Sequence, residues 1–121
     1  MAFLNDEIFD QGLDYATTNG TRIDICSSEP ANYAAVSGVS LGNKAGLTTG
    51  ATAAGDTDGR KVVVPAITDG SVTSTGSAVA WALTDGSSIL VATGSLSASP
   101  AVTSGNTFAL GAIDLTIRDA T

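Results

Sequence analysis

The chain has 121 residues, 12 acidic and 5 basic, and a net charge of −7; the length fits one domain, and the charge opposes attraction to nucleic-acid phosphates or an anionic membrane surface. It has no His and one Cys, which removes the usual general base, the Ser-His-Asp and Cys-His constellations, and a zinc site of ordinary ligand number. Its 43% hydrophobic content comes with only 5% aromatic residues and 14 Gly, favouring short strands and tight turns over a helix bundle.

Residues 5–18 carry the one helical pattern. Asn5 is placed to cap it, Asp6 and Glu7 complement the dipole in the first turn, and Asn19-Gly20 stops it. Ile8, Gly12 and Tyr15 fall on one stripe and Phe9, Leu13 and Ala16 on the adjoining one, an apolar surface broad for a helix at a chain terminus. Such a helix either docks on its own domain or forms a subunit contact. On the second reading the interface residues are Phe3, Leu4, Ile8, Phe9, Leu13 and Tyr15, with Tyr33 further along. Removing residues 1–18 is then expected to cost binding more than folding.

From Thr21 the period changes to 2, with Thr21, Ile23 and Ile25 on one face and Arg22, Asp24 and Cys26 on the other, the mark of a first strand. Tyr33 and Val36 follow Ser27-Ser28-Glu29-Pro30, and from Gly38 to Gly59 the chain is Gly-rich with little charge. Residues 42–59 are expected to form a flexible loop or arm that gains order on a partner. Arg60 to Ile67 is a Val-rich strand whose Pro65 marks an end or a sheet edge. Thr68-Asp69-Gly70-Ser71 reads as a turn, Val72 to Thr75 as a short strand and Gly76-Ser77 as a break.

Ala78 to Thr84 sets Val79, Trp81 and Leu83 against three Ala, so Trp81 is expected to anchor the core while the Ala face is approached closely. Asp85-Gly86 signals a hairpin into Ile89 to Thr93. Leu96 to Val102 is a weak strand interrupted by Pro100, Ser104-Gly105-Asn106 a turn, and Thr107 to Leu110 and Ala112 to Arg118 the last strands. About seven or eight short antiparallel strands in a single domain over 1–121 make a mainly β fold, a β-sandwich or jelly-roll-like small barrel, with an N-terminal helical segment over 1–20.

No chemistry stands out along this chain. The longest apolar runs, Val62 to Ile67 and Ile89 to Ala92, fall far short of the ~20 residues of a membrane span. The start, Met-Ala-Phe-Leu-Asn-Asp-Glu, is acidic where a secretory signal is basic, so the protein is expected to mature inside the cell that makes it. Cys26 reads as a half-buried strand thiol. The loop acids Glu29, Asp56, Asp58, Asp69 and Asp85 are candidates for a carboxylate pair, but most precede Gly or Ser in turns, where Asp bonds the backbone. Asp56-Thr57-Asp58-Gly59 matches a fragment of a calcium loop, yet Arg60-Lys61 follow where further oxygen ligands belong. Gly38 to Gly42 lacks the Gly-Lys-Ser/Thr ending of a phosphate loop. No catalytic residue, metal or cofactor is expected, and no enzyme.

The opening Phe3-Leu4-Asn5-Asp6 with Leu13 and Tyr15, followed by the strand Thr21-Arg22-Ile23-Asp24-Ile25-Cys26 and Ser27-Ser28-Glu29-Pro30, resembles that of small virion structural proteins of tailed bacteriophages and prophages. Val79 to Gly86, Leu90 to Leu96 and Val102 to Phe108 are similar too, so the likeness covers about three quarters of the chain, while Gly38 to Gly59 corresponds least. The resemblance implies a head decoration or cement protein that binds the major capsid protein and itself, with a trimer as one arrangement, carried in the virion after synthesis in the host bacterial cytoplasm. The alternative it leaves is a tail, collar or fibre-associated protein with a host-surface or glycan-binding role. A carbohydrate-binding module unconnected with a virion would need Trp81 and Tyr33 exposed on one concave face.

Overall fold

The computed structural model describes residues 5–56, 59–96 and 99–117. The element order is α1 (Asp6–Asn19), β1 (Arg22–Cys26), α2 (Tyr33–Val39), β2 (Ser40–Lys44), β3 (Ala53–Ala54), β4 (Arg60–Val64), β5 (Ile67–Val72), β6 (Gly76–Ser77), β7 (Ala80–Thr84), β8 (Leu90–Ser95), β9 (Ala101–Val102), β10 (Thr107–Leu110) and β11 (Ile113–Ile117). The strands form a six-stranded sheet ordered β10-β5-β2-β1-β7-β8, a three-stranded sheet β11-β4-β3 and a pair β6-β9. All pairings among the described residues are antiparallel, and β10 and β8 remain separate edges. The protein is therefore mainly β, and the closed barrel, one of the expected forms, does not occur.

The strands β1 and β7 lie side by side in the middle of the large sheet and are buried on both faces. On one face Ile23, Ile25, Trp81 and Leu83 join Leu41, Val64, Ile67, Val72 and Phe108 in the largest apolar cluster. Val64 comes from β4, so the three-stranded sheet contributes to the same core. On the other face Cys26, Ala80 and Ala82 meet Val36 of α2. The small side chains there let a helix approach the sheet closely, as the Ala alternation of β7 implies.

Two aromatic rings of the main cluster lie over glycines of the neighbouring strand. Trp81 pairs with Gly94, and a Cβ at Gly94 would come within 2.7 Å of the indole. Phe108 pairs with Gly70, where a Cβ would overlap its ring. This corrects the expected turn over Thr68 to Ser71: Asp69-Gly70 runs straight through β5 because the glycine makes room for Phe108. Asp85-Gly86 does open the β7–β8 hairpin, with a wider loop than two residues, since Asp85 N–H donates to the Ile89 carbonyl at 3.2 Å. Asp85 Oδ1 accepts the N–H groups of Ser87, Ser88 and Ile89 at 2.8, 2.8 and 3.0 Å. These bonds, that of Ile89 foremost, hold its carboxyl below the ordinary carboxylate pKa.

Residues 42–59, expected as a flexible loop or arm, begin inside β2, include the two-residue β3 and hydrogen-bond to the body between them. Leu47 N–H donates to Thr21 C=O at 2.9 Å, Gly50 N–H to Val63 C=O at 3.0 Å, and the buried Thr49 Oγ1 to Gly20 C=O at 2.9 Å. Thr17 Oγ1 of α1 donates to Gly50 C=O, also at 2.9 Å, which fixes helix and segment to one another. Residues 57 and 58 lie outside the described residues.

Helix α1 rests on β4 and β11. Leu13 and Ala16 pack with the fully buried Val62, with Leu115 and Ile117 beside them, and Phe9 is buried on the same stripe. An ion pair reinforces the contact: Arg60 Nε and Nη2 of β4 donate to Asp10 at 2.8 and 3.4 Å. Phe9 and Leu13, interface residues on the subunit-contact reading, are buried against this chain's own strands, as docking of the helix on its own domain requires, and removing residues 1–18 would uncover Val62. Leu13→Ala is expected to destabilise the protein by about 2–5 kcal/mol, and the neighbouring Tyr15→Ala by less than about 0.5 kcal/mol. Urea unfolding of both variants checks this; equal losses would contradict the assignment of the two stripes.

Candidate functional site

The inward stripe of α1 fixes the rotation of the helix, and that rotation turns the adjoining stripe outward. Asn5 caps the first turn, its Oδ1 accepting the Glu7 N–H at 2.8 Å. Ile8 and Tyr15 are then left 56% and 51% exposed, the exposed large hydrophobic residues of the described chain. Gly12 lies between them. Beside Tyr15 a groove of about 280 Å³ opens, lined by Val91 and Ala92 of β8 and by Leu115 and Ile117 of β11, the edge strands of the two larger sheets. Phe3 and Leu4 lie outside the described residues.

The electrostatics of this face are one-sided. Helix α1 carries Asp6, Glu7, Asp10 and Asp14 and no basic residue. Asp10 is taken by Arg60, whereas Glu7 and Asp14 are exposed and form no ion pair among the described residues. On the helix they lie on the solvent side, roughly a quarter turn from Ile8 and Tyr15, with Gln11 and Thr18 between.

Tyr33 does not join this surface. It opens α2 on the far side of β1 and lines a polar cleft of about 180 Å³ with Arg22, Asp24 and Val36. Asp24 is 1% exposed and fully engaged: Arg22 Nε and Nη2 donate to it at 2.9 and 3.1 Å, and Ser40 Oγ at 2.7 Å. The hydrogen bond to Asp24 raises the Arg22 pKa further above its ordinary value. No buried side-chain nitrogen or oxygen among the described residues lacks a partner, so the buried carboxylate of the cleft is already satisfied within the chain.

A third concavity, an apolar groove of about 360 Å³, lies between Ile25, Ala78, Val102 and Phe108. Trp81 is 8% exposed and sits inside the main cluster, which is at odds with the stacking platform that a carbohydrate-binding reading requires. Of the loop acids, Asp69 pairs with Lys44 at 3.0 Å and Glu29 accepts the Thr93 hydroxyl at 2.5 Å. Asp56 pairs with Lys61 at 2.6 Å, a bond that lowers its pKa, and Lys61 also reaches Asp114 at 3.2 Å. Asp58 lies outside the described residues. Among the described residues no group of three or more His, Cys, Asp or Glu is placed to hold a metal ion, and no helix is long and apolar enough to cross a membrane. No protein-family model, curated protein or solved structure matches the chain.

Cys26 is fully buried in the α2-covered cluster. Burial, with Asp24 as the lesser cause, pushes its thiol up to about 11 from an ordinary value of 9.0. At neutral pH it is therefore a protonated packing residue and not a nucleophile. Because the folded pKa exceeds the unfolded one, its contribution to stability is fully present below pH 9.0 and is lost as pH rises through about 11. Denaturant titrations across that window are expected to show a steeper fall of stability with pH for the wild-type chain than for Cys26→Ala; parallel curves would refute the assignment.

Proposed function

We propose that this protein is a non-enzymatic structural component of a tailed-phage particle, specifically a head decoration or cement protein that binds the major capsid protein. The facing six- and three-stranded sheets are read as a β-sandwich-like body that carries the binding helix. The observation that supports this reading most is the exposed apolar stripe of α1, held rigidly in place by the buried stripe beside it. A protein that coats many identical sites needs a preformed, repeated contact of this kind, because each copy then loses little freedom on binding. Self-association, with a trimer as one arrangement, is part of the proposal and would use surfaces other than α1. Synthesis in the host cytoplasm and residence in the virion follow from the same reading.

Quantitative mass spectrometry of purified particles tests the role. Hundreds of copies per particle are expected; a handful would place the protein with the tail, collar or fibres, and none would end the virion reading.

A further inference from the structure

We infer that the outer face of α1, from Ile8 through Gly12 to Tyr15 with the groove beside it, docks a cationic protein surface with an apolar centre, and not a second copy of this chain. The inference rests on the binding role proposed above and adds the chemistry of the partner. Tyr15, half exposed at the mouth of a groove floored by Val91, Ala92, Leu115 and Ile117, has the position of an interface anchor: a large amphipathic ring beside apolar surface.

Gly12 points the same way. Glycine inside a helix is less favourable than Ala by about 1 kcal/mol, yet a Cβ here would stand 3.6 Å from Ile117 Cδ1, in ordinary contact. Packing within the chain therefore does not demand a glycine. Its effect is to leave the stripe open between Ile8 and Tyr15, where a side chain of a partner can enter.

Charge selects the partner. Glu7 and Asp14 stand on the solvent side of the same helix without ion pairs among the described residues, and α1 has no base of its own. Of the five bases, Arg118 lies outside the described residues, and the other four are engaged in a second copy as in the first: Arg22 is paired with Asp24, Lys44 with Asp69, Arg60 with Asp10, and Lys61 with Asp56 and Asp114. Two such faces brought together would place like charges opposite one another, which disfavours that pairing. The occupant must bring its own Lys or Arg around an apolar centre.

The test places a photo-crosslinking phenylalanine analogue at position 15 in cells that make the particles, then measures the affinity of the purified full-length chain for the cross-linked protein. The expected result is one dominant cross-link, to a peptide with Lys or Arg flanking apolar residues. Binding should weaken at least several-fold when salt is raised from ~0.05 to ~0.5 M, and at least about tenfold in Tyr15→Ala and Asp14→Lys. Thr103→Lys, in the exposed turn before β10, should bind as the wild type does. Circular dichroism and melting curves matching the wild type show that the α1 variants fold. A cross-link to this chain itself, no cross-link at all, or affinity indifferent to salt and to Asp14→Lys overturns the inference. A cross-link of the expected chemistry to a protein outside the particle would uphold the partner chemistry and end the capsid role, so the two claims fail separately.

Discussion

The fold depends on two central strands that are covered on both sides. In β1 and β7 every side chain but Arg22 is buried, and the two faces carry different sizes of residue. Ile23, Ile25, Trp81 and Leu83 build the thick core toward the three-stranded sheet, while Cys26, Ala80 and Ala82 make a thin face that only a closely packed element can cover. Helix α2 supplies that cover through Val36. The one carboxylate on this face, Asp24, is tolerated because Arg22 and Ser40 satisfy it completely; an unpaired charge in that position would cost several kcal/mol, of order 3–5.

That size asymmetry was legible in the sequence, since Val79, Trp81 and Leu83 alternate with Ala in a single strand. The capped helix over 5–18, the first strand and the Ser104-Gly105-Asn106 turn were equally plain, because each is set by local chemistry. What escaped depends on distant partners. β2 offers one large apolar residue, Leu41, and holds Gly42 where a Cβ would overlap the Ser71 carbonyl; a strand built for close approach looks like a loop when its neighbour is unknown. Asp69-Gly70 looks like a turn until Phe108 is placed over the glycine. Helix α2 is short, and its clearest signal was Asn32, whose side chain accepts the Ala35 N–H at 3.0 Å.

The same limit applies to the candidate site. Two adjoining apolar stripes on α1 are visible from residue spacing alone, but spacing cannot say which one turns inward. Val62, Leu115 and Ile117 decide it, lying 43 or more positions beyond the end of the helix and meeting Leu13 and Ala16 from two strands of the three-stranded sheet. Phe9 and Leu13 therefore serve the interior, and Ile8 and Tyr15 are left for the outside. On the proposed reading the helix joins fold and function: burial of one stripe gives it a fixed orientation, and that orientation presents the other stripe already ordered, so that binding would not bear the cost of ordering a loop. Acidic residues on the solvent side of the same helix, with every described base engaged elsewhere, then favour cationic partners.

The central claim is that α1 is the contact element of a protein that coats a phage head. The most direct measurement is electron cryomicroscopy of intact particles, at a resolution that shows side chains. The account predicts this chain on the head surface in many copies, with density of a neighbouring capsid subunit against Ile8, Gly12 and Tyr15 and a Lys or Arg beside Asp14. A map in which that face of α1 looks out into solvent while another surface touches the shell would contradict it.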